Sequence, residues 1–297
     1  MNPLHPNPPI RPASPAVLER LGGRNPRVTG PKYSDDRRPV TRPDDEFHRG
    51  CLVVAHRGAS ARAPENTLAA FEAAVADRAD VVELDVRLTR DGIPVILHDP
   101  DVSATTEGTG FVHEMSLDDV KRLDAAMGRG ERQEIPTLAE ALESIRGAGV
   151  NLEIKNLPGE PAFDSPLEAT LEAALEVLRA ARFEGPVLVS SFNWLTIERA
   201  RELAPEVMTG FLTIAAIDPW ASLVYARSHG HDFVLPQGPA LAAAGADFVR
   251  DARAEGVRVG TWVVDDEDVL STLFAWGVDA VATNDPRLAV EVRARAQ

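Results

Sequence analysis

The feature that most constrains this chain is a repeated alternation of short apolar runs with longer helical patterns, which begins after residue 51. The apolar runs are rich in β-branched residues and have the length of buried strands. Strand–helix units repeated in this way predict an α/β fold, a TIM (β/α)8-type barrel built on one parallel sheet. The runs lie at residues 52–55, 81–86, 94–98, 150–155, 187–191, 208–213, 232–235, 258–264 and 279–283.

Two irregularities refine this prediction. The candidate strands number nine, one more than a barrel of eight holds, so either the run at 232–235 or one of the earlier runs lies outside the barrel. The connection between the second and third runs is too short for a helix, and Asp91-Gly92 within it is typical of a hairpin turn. Residues 99–133 hold turn signals and one weak helical pattern, which predicts a small insertion after the third strand, at the barrel mouth.

The first 48 residues differ in composition from the rest of the chain. Ten of the 23 prolines fall before residue 44, and no hydrophobic period accompanies them. This composition predicts a disordered, Pro-rich tail over residues 1–48, followed by a barrel domain over residues 49–297.

The net charge and the cysteine content limit the binding partners and metal sites that this chain can have. The net charge of −15 argues against nucleic acid and anionic membrane surfaces. The one cysteine, Cys51, excludes an internal disulfide and a thiolate zinc cluster, and its apolar setting predicts a small buried side chain. Neither a run of about 18 apolar residues nor a signal peptide is visible, so we expect a cytoplasmic protein without stable membrane insertion. The oligomeric state stays open.

Polar residues cluster where the predicted strands end, and in barrels of this type catalytic groups lie at the carboxyl ends of strands. Because alternate strand residues share a face, Glu83 projects beside Asp85 and Glu153 beside Lys155. The hairpin turn is expected to bring His98 back beside Glu83. In chain order the strand ends carry His56 and Arg57, Glu83 and Asp85, His98, and Glu153 and Lys155.

Three carboxylates that converge in this way repel one another unless a cation offsets their charge. Oxygen ligands favour a hard divalent ion, Mg²⁺, Ca²⁺ or Mn²⁺, over zinc. Taken singly, each of these residues fits an ordinary rim carboxylate, ion-pair partner or loop histidine. Their succession along one barrel edge favours a site that binds a metal and transfers protons.

The same residues stand in motifs that resemble the glycerophosphodiester phosphodiesterase family. The resemblance runs from about residue 52 to residue 286, in order and with similar spacing. The motifs are Ala55-His56-Arg57-Gly58, Pro64-Glu65-Asn66-Thr67, Glu83-Leu84-Asp85-Val86, His98-Asp99, Leu152-Glu153-Ile154-Lys155 and Ser190-Ser191-Phe192, with a late strand motif around Trp262.

The resemblance implies a barrel enzyme that hydrolyses a small-molecule glycerophosphodiester to glycerol 3-phosphate and an alcohol. It implies one divalent cation, Mg²⁺ or Ca²⁺ with Mn²⁺ also possible, bound by Glu83, Asp85 and Glu153. It makes His56 and His98 the acid–base pair, with His98 as the acid and His56 as the base. The attacking group is either water or the neighbouring glycerol hydroxyl.

The resemblance also implies supporting roles around this centre. Arg57 and Lys155 are expected to bind the phosphate or the metal carboxylates. Trp262 is expected to line the substrate pocket, although a packing role in the barrel fits it almost equally well. Glu65 and Asn66 are expected to shape the adjoining loop.

Three departures from the family pattern stand out. The usual Trp-Thr-Val-Asn reads Trp262-Val263-Val264-Asp265, and the usual Thr-Asp-x-Pro reads Thr283-Asn284-Asp285-Pro286. Where many members of the family have Leu-Asp-Arg before two threonines, here Thr105 and Thr106, this chain has Val102-Ser103-Ala104. None of these changes removes a metal ligand or a histidine, so we expect them to affect substrate choice and local structure.

Three alternatives remain at this stage. A related barrel enzyme that cleaves a lysophospholipid or other lipid phosphodiester would need an apolar loop for contact with lipid, and residues 214–220 are a short candidate. A barrel that binds phosphodiesters without turnover would have no need for two proton carriers. An interaction protein would act through residues 1–48.

Overall fold

Eight parallel strands close into a barrel within residues 50–296, the part of the chain that the computed structural model describes. Each barrel strand pairs in parallel with its neighbours, and the ring closes because β1 pairs with β2 as well as with β9. The barrel prediction is confirmed. The strands are β1 (Leu52–Ala55), β2 (Val81–Leu88), β3 (Pro94–Ile96), β4 (Gly149–Ile154), β5 (Val187–Ser191), β6 (Met208–Thr213), β7 (Phe233–Pro236), β8 (Arg258–Thr261) and β9 (Ala280–Thr283).

The ninth strand lies outside the ring. β3 pairs antiparallel with β2, with Ile96 opposite Val86, and Gly92 in the connecting turn has a φ of 78°. The run at 232–235 therefore contributes to a barrel strand, and the run at 94–98 is the extra one. The predicted hairpin at Asp91-Gly92 is confirmed, and His98 follows a strand that runs back along β2.

Helices surround the barrel. Apolar side chains on them, such as Phe71, Leu171 and Phe248, are fully buried against the outward face of the strands. Thr67 caps the first helix, because its side-chain oxygen accepts a hydrogen bond from the backbone N–H of Ala70. The helices are α1 (Leu68–Ala76), α2 (Leu117–Lys121), α3 (Leu138–Ser144), α4 (Ala169–Ala181), α5 (Trp194–Leu203), α6 (Pro219–His229), α7 (Gly238–Ala254), α8 (Glu267–Trp276) and α9 (Pro286–Ala296).

The predicted insertion between β3 and α3 is confirmed. It holds two 3-10 turns and the short α2. Val102, Val112, Val120 and Ile135 belong to its own small apolar core. This core stabilises the insertion although none of its residues lies in a barrel strand.

Three further sequence predictions concern the tail, the cysteine and membrane insertion. The predicted tail, residues 1–48, lies outside the described residues, and the domain boundary after it stays a prediction.

Cys51 is only partly buried, and burial raises the pKa of its thiol, so it is protonated at neutral pH. Among the helices described, none combines the length and the apolar character needed to cross a bilayer.

Candidate active site

Strand alternation brings the three predicted metal carboxylates together. Along β2, Leu84 packs outward into the apolar core while Glu83 and Asp85 share the opposite face. β4 lies beside β2 in parallel, with Glu153 in register with Asp85. All three side chains are buried, and each offers an oxygen within 4.8 Å of the others.

Two cations bind directly to these carboxylates. The Nζ atom of Lys155 lies 2.9 Å from Oδ1 of Asp85 and also contacts Glu153. The Nε atom of Arg57 lies 3.3 Å from Oδ2 of Asp85. Lys155 is buried, whereas Arg57 is half-buried and also pairs with Glu65, so these two cations leave at least one of the three carboxylate charges without compensation.

The pKa values reflect this imbalance. Burial, reinforced by the neighbouring carboxylates, raises the pKa of Glu83 well above its usual range. Burial also raises the pKa of Glu153, although Lys155 acts against it. Burial also acts to raise the pKa of Asp85, but the positive charges of Lys155 and Arg57 outweigh this effect and hold the pKa of this carboxyl below its usual range. Burial therefore disfavours the ionised forms of Glu83 and Glu153, and additional positive charge would favour them.

These residues fit a hard divalent cation. Oε2 of Glu83 accepts the backbone N–H of Arg57 at 2.7 Å, while Oε1 is buried and has no hydrogen-bond donor among residues 50–296. A buried carboxylate oxygen without a donor is costly, and a cation would satisfy it. The oxygen-only ligands and the uncompensated charge point to the same type of ion.

His56 follows β1, and a side chain from the far end of the chain holds its ring. Nδ1 of His56 lies 2.8 Å from Oδ1 of Asn284. Burial and the nearby Arg57 lower the pKa of His56, although the bond to Asn284 acts against them. The ring is therefore mainly neutral at neutral pH.

His98 is held through its backbone. Arg87, on β2, donates to the carbonyl oxygen of His98 from Nε at 2.8 Å and from Nη2 at 2.5 Å. The same guanidinium pairs with both carboxylate oxygens of Glu160, at 2.7 and 3.1 Å. Burial lowers the pKa of His98; Lys155 and Arg57 add to this effect, and Asp85 opposes it.

Glu65 and Asn66 support the loop after β1. Oε1 of Glu65 pairs with Nη1 of Arg57 at 2.8 Å. Nδ2 of Asn66 donates to Oδ2 of Asp85 at 2.8 Å. Arg57 and Asn66 both have left-handed φ values, 55° and 58°, and these polar contacts hold that conformation in place.

A cavity of about 230 Å³ opens over this cluster. Trp262 is half-buried in its wall, where its Nε1 donates to the Leu235 carbonyl at 2.9 Å and its ring meets Phe192 edge-on at 5.3 Å. Apolar side chains such as Leu188, Leu212 and Leu235 also line the cavity. The charged and titratable residues in its lining are His56, Arg57, Glu83, His98, Glu153 and Lys155.

Sequence reasoning missed four residues that hold the histidines. Arg87 carried a usable signal, because it lies two residues after Asp85 on the same strand face. Glu160 lies in a loop without any periodic pattern. Asn284 and Asp265 were recognised only as departures from the family pattern.

Comparison with known proteins places this chain in a family. Residues 56–288 match the sequence model of the Glycerophosphoryl diester phosphodiesterase family. A glycerophosphodiester phosphodiesterase of Caldanaerobacter subterraneus is 34% identical over 249 residues, which cover 81% of this chain and 97% of that protein. One from Bacillus subtilis is 30% identical over 255 residues, covering 82% and 86%.

This chain also resembles a solved structure of a phosphodiesterase. That structure is of an Oleispira antarctica phosphodiesterase in complex with the product sn-glycerol-3-phosphate, with a TM-score of 0.74 and 33% identity, covering 83% of this chain and 98% of that one. Fold, site and comparisons agree on the class, a barrel phosphodiesterase. The chain belongs to the glycerophosphoryl diester phosphodiesterase family, and the prediction that it is an enzyme of this class is confirmed.

Proposed function

We propose that this enzyme hydrolyses glycerophosphodiesters to glycerol 3-phosphate and an alcohol, with one divalent metal ion and with His56 and His98 as proton carriers. The observation that carries the proposal is that one cavity joins both histidines to a buried carboxylate cluster. Further support comes from relatives named for this activity and from the bound product of the Oleispira protein.

Glu83, Asp85 and Glu153 would hold the ion, which supplies positive charge against the charge that develops on the phosphoryl group. Their oxygen ligands favour Mg²⁺ or Ca²⁺, with Mn²⁺ as a third possibility. Arg57 and Lys155 orient the carboxylates, and both line the cavity, where their remaining donors reach a phosphate.

The two histidines divide the proton transfers. His56, with its lowered pKa, is neutral and accepts the proton of the attacking hydroxyl, which belongs either to water or to the substrate's glycerol. His98 protonates the departing alkoxide, and its lowered pKa makes its imidazolium a stronger acid. Trp262 forms the wall against which the alcohol group packs, and Glu65 and Asn66 keep the loop of Arg57 in place.

The experiment is an assay on glycerophosphocholine, coupled to detection of glycerol 3-phosphate. The protein is treated with EDTA, dialysed, and assayed again with Mg²⁺, Ca²⁺ or Mn²⁺ restored. We expect loss of activity after chelation and recovery with at least one ion. Full activity after chelation would refute the metal requirement, and no release with any ion would refute the substrate.

One observation favours a second candidate, a lipid phosphodiester such as a lysophospholipid. Ile214, Ile217 and Trp220 follow β6 on the mouth side of the barrel, with 50%, 44% and 39% of their surfaces exposed. An apolar rim there would suit an acyl chain. Preferential turnover of lysophosphatidylcholine over glycerophosphocholine, with binding to its vesicles, would support this candidate; equal or lower turnover without binding would exclude it.

We also propose that residues 49–297 suffice for the reaction. Deletion of residues 1–48 is expected to leave kcat on glycerophosphocholine unchanged. A large loss of kcat with an intact melting transition would assign a function to the deleted segment.

A further inference from the structure

A line of polar contacts runs behind the ring of His56. Oδ1 of Asn284 meets Nδ1 of His56 at 2.8 Å, and Nδ2 of Asn284 donates to Oδ2 of Asp265 at 2.7 Å. Oδ1 of Asp265 also accepts the backbone N–H of Asn284 at 2.7 Å and the hydroxyl of Thr283 at 2.8 Å. The three residues follow β1, β9 and β8, which are neighbours in the barrel.

The chemistry of these groups fixes the direction of each hydrogen bond. A carboxylate only accepts, so the NH₂ group of Asn284 faces Asp265 and its amide oxygen faces His56. An amide oxygen also only accepts, so the proton of the neutral His56 ring lies on Nδ1. Nε2 then carries the free lone pair.

We propose that Asn284, oriented by Asp265, is a positioning residue that holds His56 in the Nδ1–H tautomer and so leaves Nε2 as the proton acceptor. The inference deepens the proposed role of His56 as a base and rests on it. The tautomer itself is a separate statement that can be tested without turnover.

Two of the departures from the family pattern are explained together in this way. Where the family pattern has Asn, this chain has Asp265, and where the pattern has Asp, it has Asn284. The two side chains contact each other, so the changes exchange a carboxylate and an amide within one pair. In this chain the neutral amide oxygen of Asn284 lies against the imidazole, and exchanging the two side chains would place a carboxylate there instead.

The neutral amide of Asn284 affects how strongly the His56 ring binds a proton. A carboxylate against Nδ1 would stabilise the imidazolium and raise the pKa of His56. The other charged groups that act on this ring are Arg57, Asp85 and Glu65, and all three keep their identity when the pair is exchanged.

The test compares wild type with Asn284→Asp, Asp265→Asn and the double exchange. Asn284→Asp sets two carboxylates against each other, and Asp265→Asn leaves an amide that is free to flip. We expect each single variant to lose about tenfold in kcat, the worth of one hydrogen bond. The double variant is expected to recover most of this loss and to move the acid limb of its pH profile to higher pH. Asp285→Asn, a matched change beside the pair, is the control and is expected to keep kcat.

A second readout is independent of activity. Imidazole ¹⁵N spectra of the Mg²⁺-loaded wild type are expected to show a protonated Nδ1 and a bare Nε2 on His56, and Asp265→Asn is expected to mix the tautomers. A protonated Nε2 in wild type, or single variants with wild-type kcat, would overturn the inference. If wild type fails to turn over any substrate, the proposed function fails, and the spectra still decide the tautomer.

Discussion

The two histidines at the mouth of this barrel are anchored in opposite ways. A side chain 228 residues away in sequence holds the ring of His56. His98 is held by its carbonyl oxygen, through Arg87, and its ring meets Asp99 at 3.3 Å with about a third of the side chain exposed. A ring held by a distant side chain suits the proposed base, which acts at one nitrogen. Within the described residues, the ring of His98 has a polar contact only with its chain neighbour, which suits the proposed acid that must reach a departing group.

The largest effect is expected from removing either ring. His56→Ala and His98→Ala should each lower kcat on glycerophosphocholine by at least about two orders of magnitude, because a proton carrier is lost. The matched control is His229→Ala on α6, whose ring contacts Glu198 outside the cavity. Near-normal turnover in a folded, metal-loaded variant of either histidine would contradict the proposed pair.

The backbone anchor of His98 should matter less than the ring itself. Arg87→Met removes both hydrogen bonds to the carbonyl and leaves Glu160 without its partner, so we expect kcat to fall by about tenfold. Arg87→Lys should restore part of this loss without the bidentate geometry. Arg90→Met, an exposed change nearby, is the control. Equal kcat values for the Arg87 and Arg90 variants would show that the anchor is dispensable.

The pH dependence should separate the two roles. The pKa of His56 is lowered, so its neutral form persists below the ordinary histidine value of about 6.5. We expect kcat/KM to have an acid limb, set by protonation of His56, and an alkaline limb, set by deprotonation of His98. Both midpoints should lie below about pH 6.5, because both pKa values are lowered. The measurement is a pH profile in the Mg²⁺-loaded state. An acid limb with its midpoint above pH 6.5 would contradict the lowered pKa.

The buried His231 tests whether a histidine ring held by a hydrogen bond is necessarily catalytic. His231, bonded to Thr209 at 2.9 Å, has its pKa lowered to about 4, chiefly by burial. The unfolded chain binds the proton more readily, so this residue's contribution to stability is present above pH 6.5 and is lost as pH falls toward 4. Its replacement, His231→Gln, should weaken the acid dependence of the unfolding free energy and leave kcat unchanged. An unchanged acid dependence would contradict this assignment.

The barrel and the carboxylate cluster were predictable because both depend on local patterns. Buried parallel strands such as β2 are nearly continuous apolar runs. Glu83 and Asp85 interrupt this run two residues apart, the spacing that places both side chains on one face of the strand. It was harder to predict which of the nine apolar runs lies outside the barrel, since the three residues of β3 have the same composition as a barrel strand.

The supports of the histidines could not be predicted in this way. The Arg87–Glu160 pair spans 73 residues, and the His56–Asn284 pair spans 228. Contacts of that separation have no period along the chain, and they depend both on the pairing of the strands and on the loops that follow them. Asn284 and Asp265 became interpretable only when the barrel placed β8, β9 and β1 side by side.

The division of labour between the two histidines is tested most directly by changing the leaving group. The measurement is kcat/KM for wild type, His56→Ala and His98→Ala on glycerophosphocholine and on the p-nitrophenyl ester of glycerol 3-phosphate, whose phenolate departs without a proton. The account predicts that the ester restores most of the activity of His98→Ala and little of that of His56→Ala. Equal deficits on both substrates, or rescue of His56→Ala alone, would contradict it.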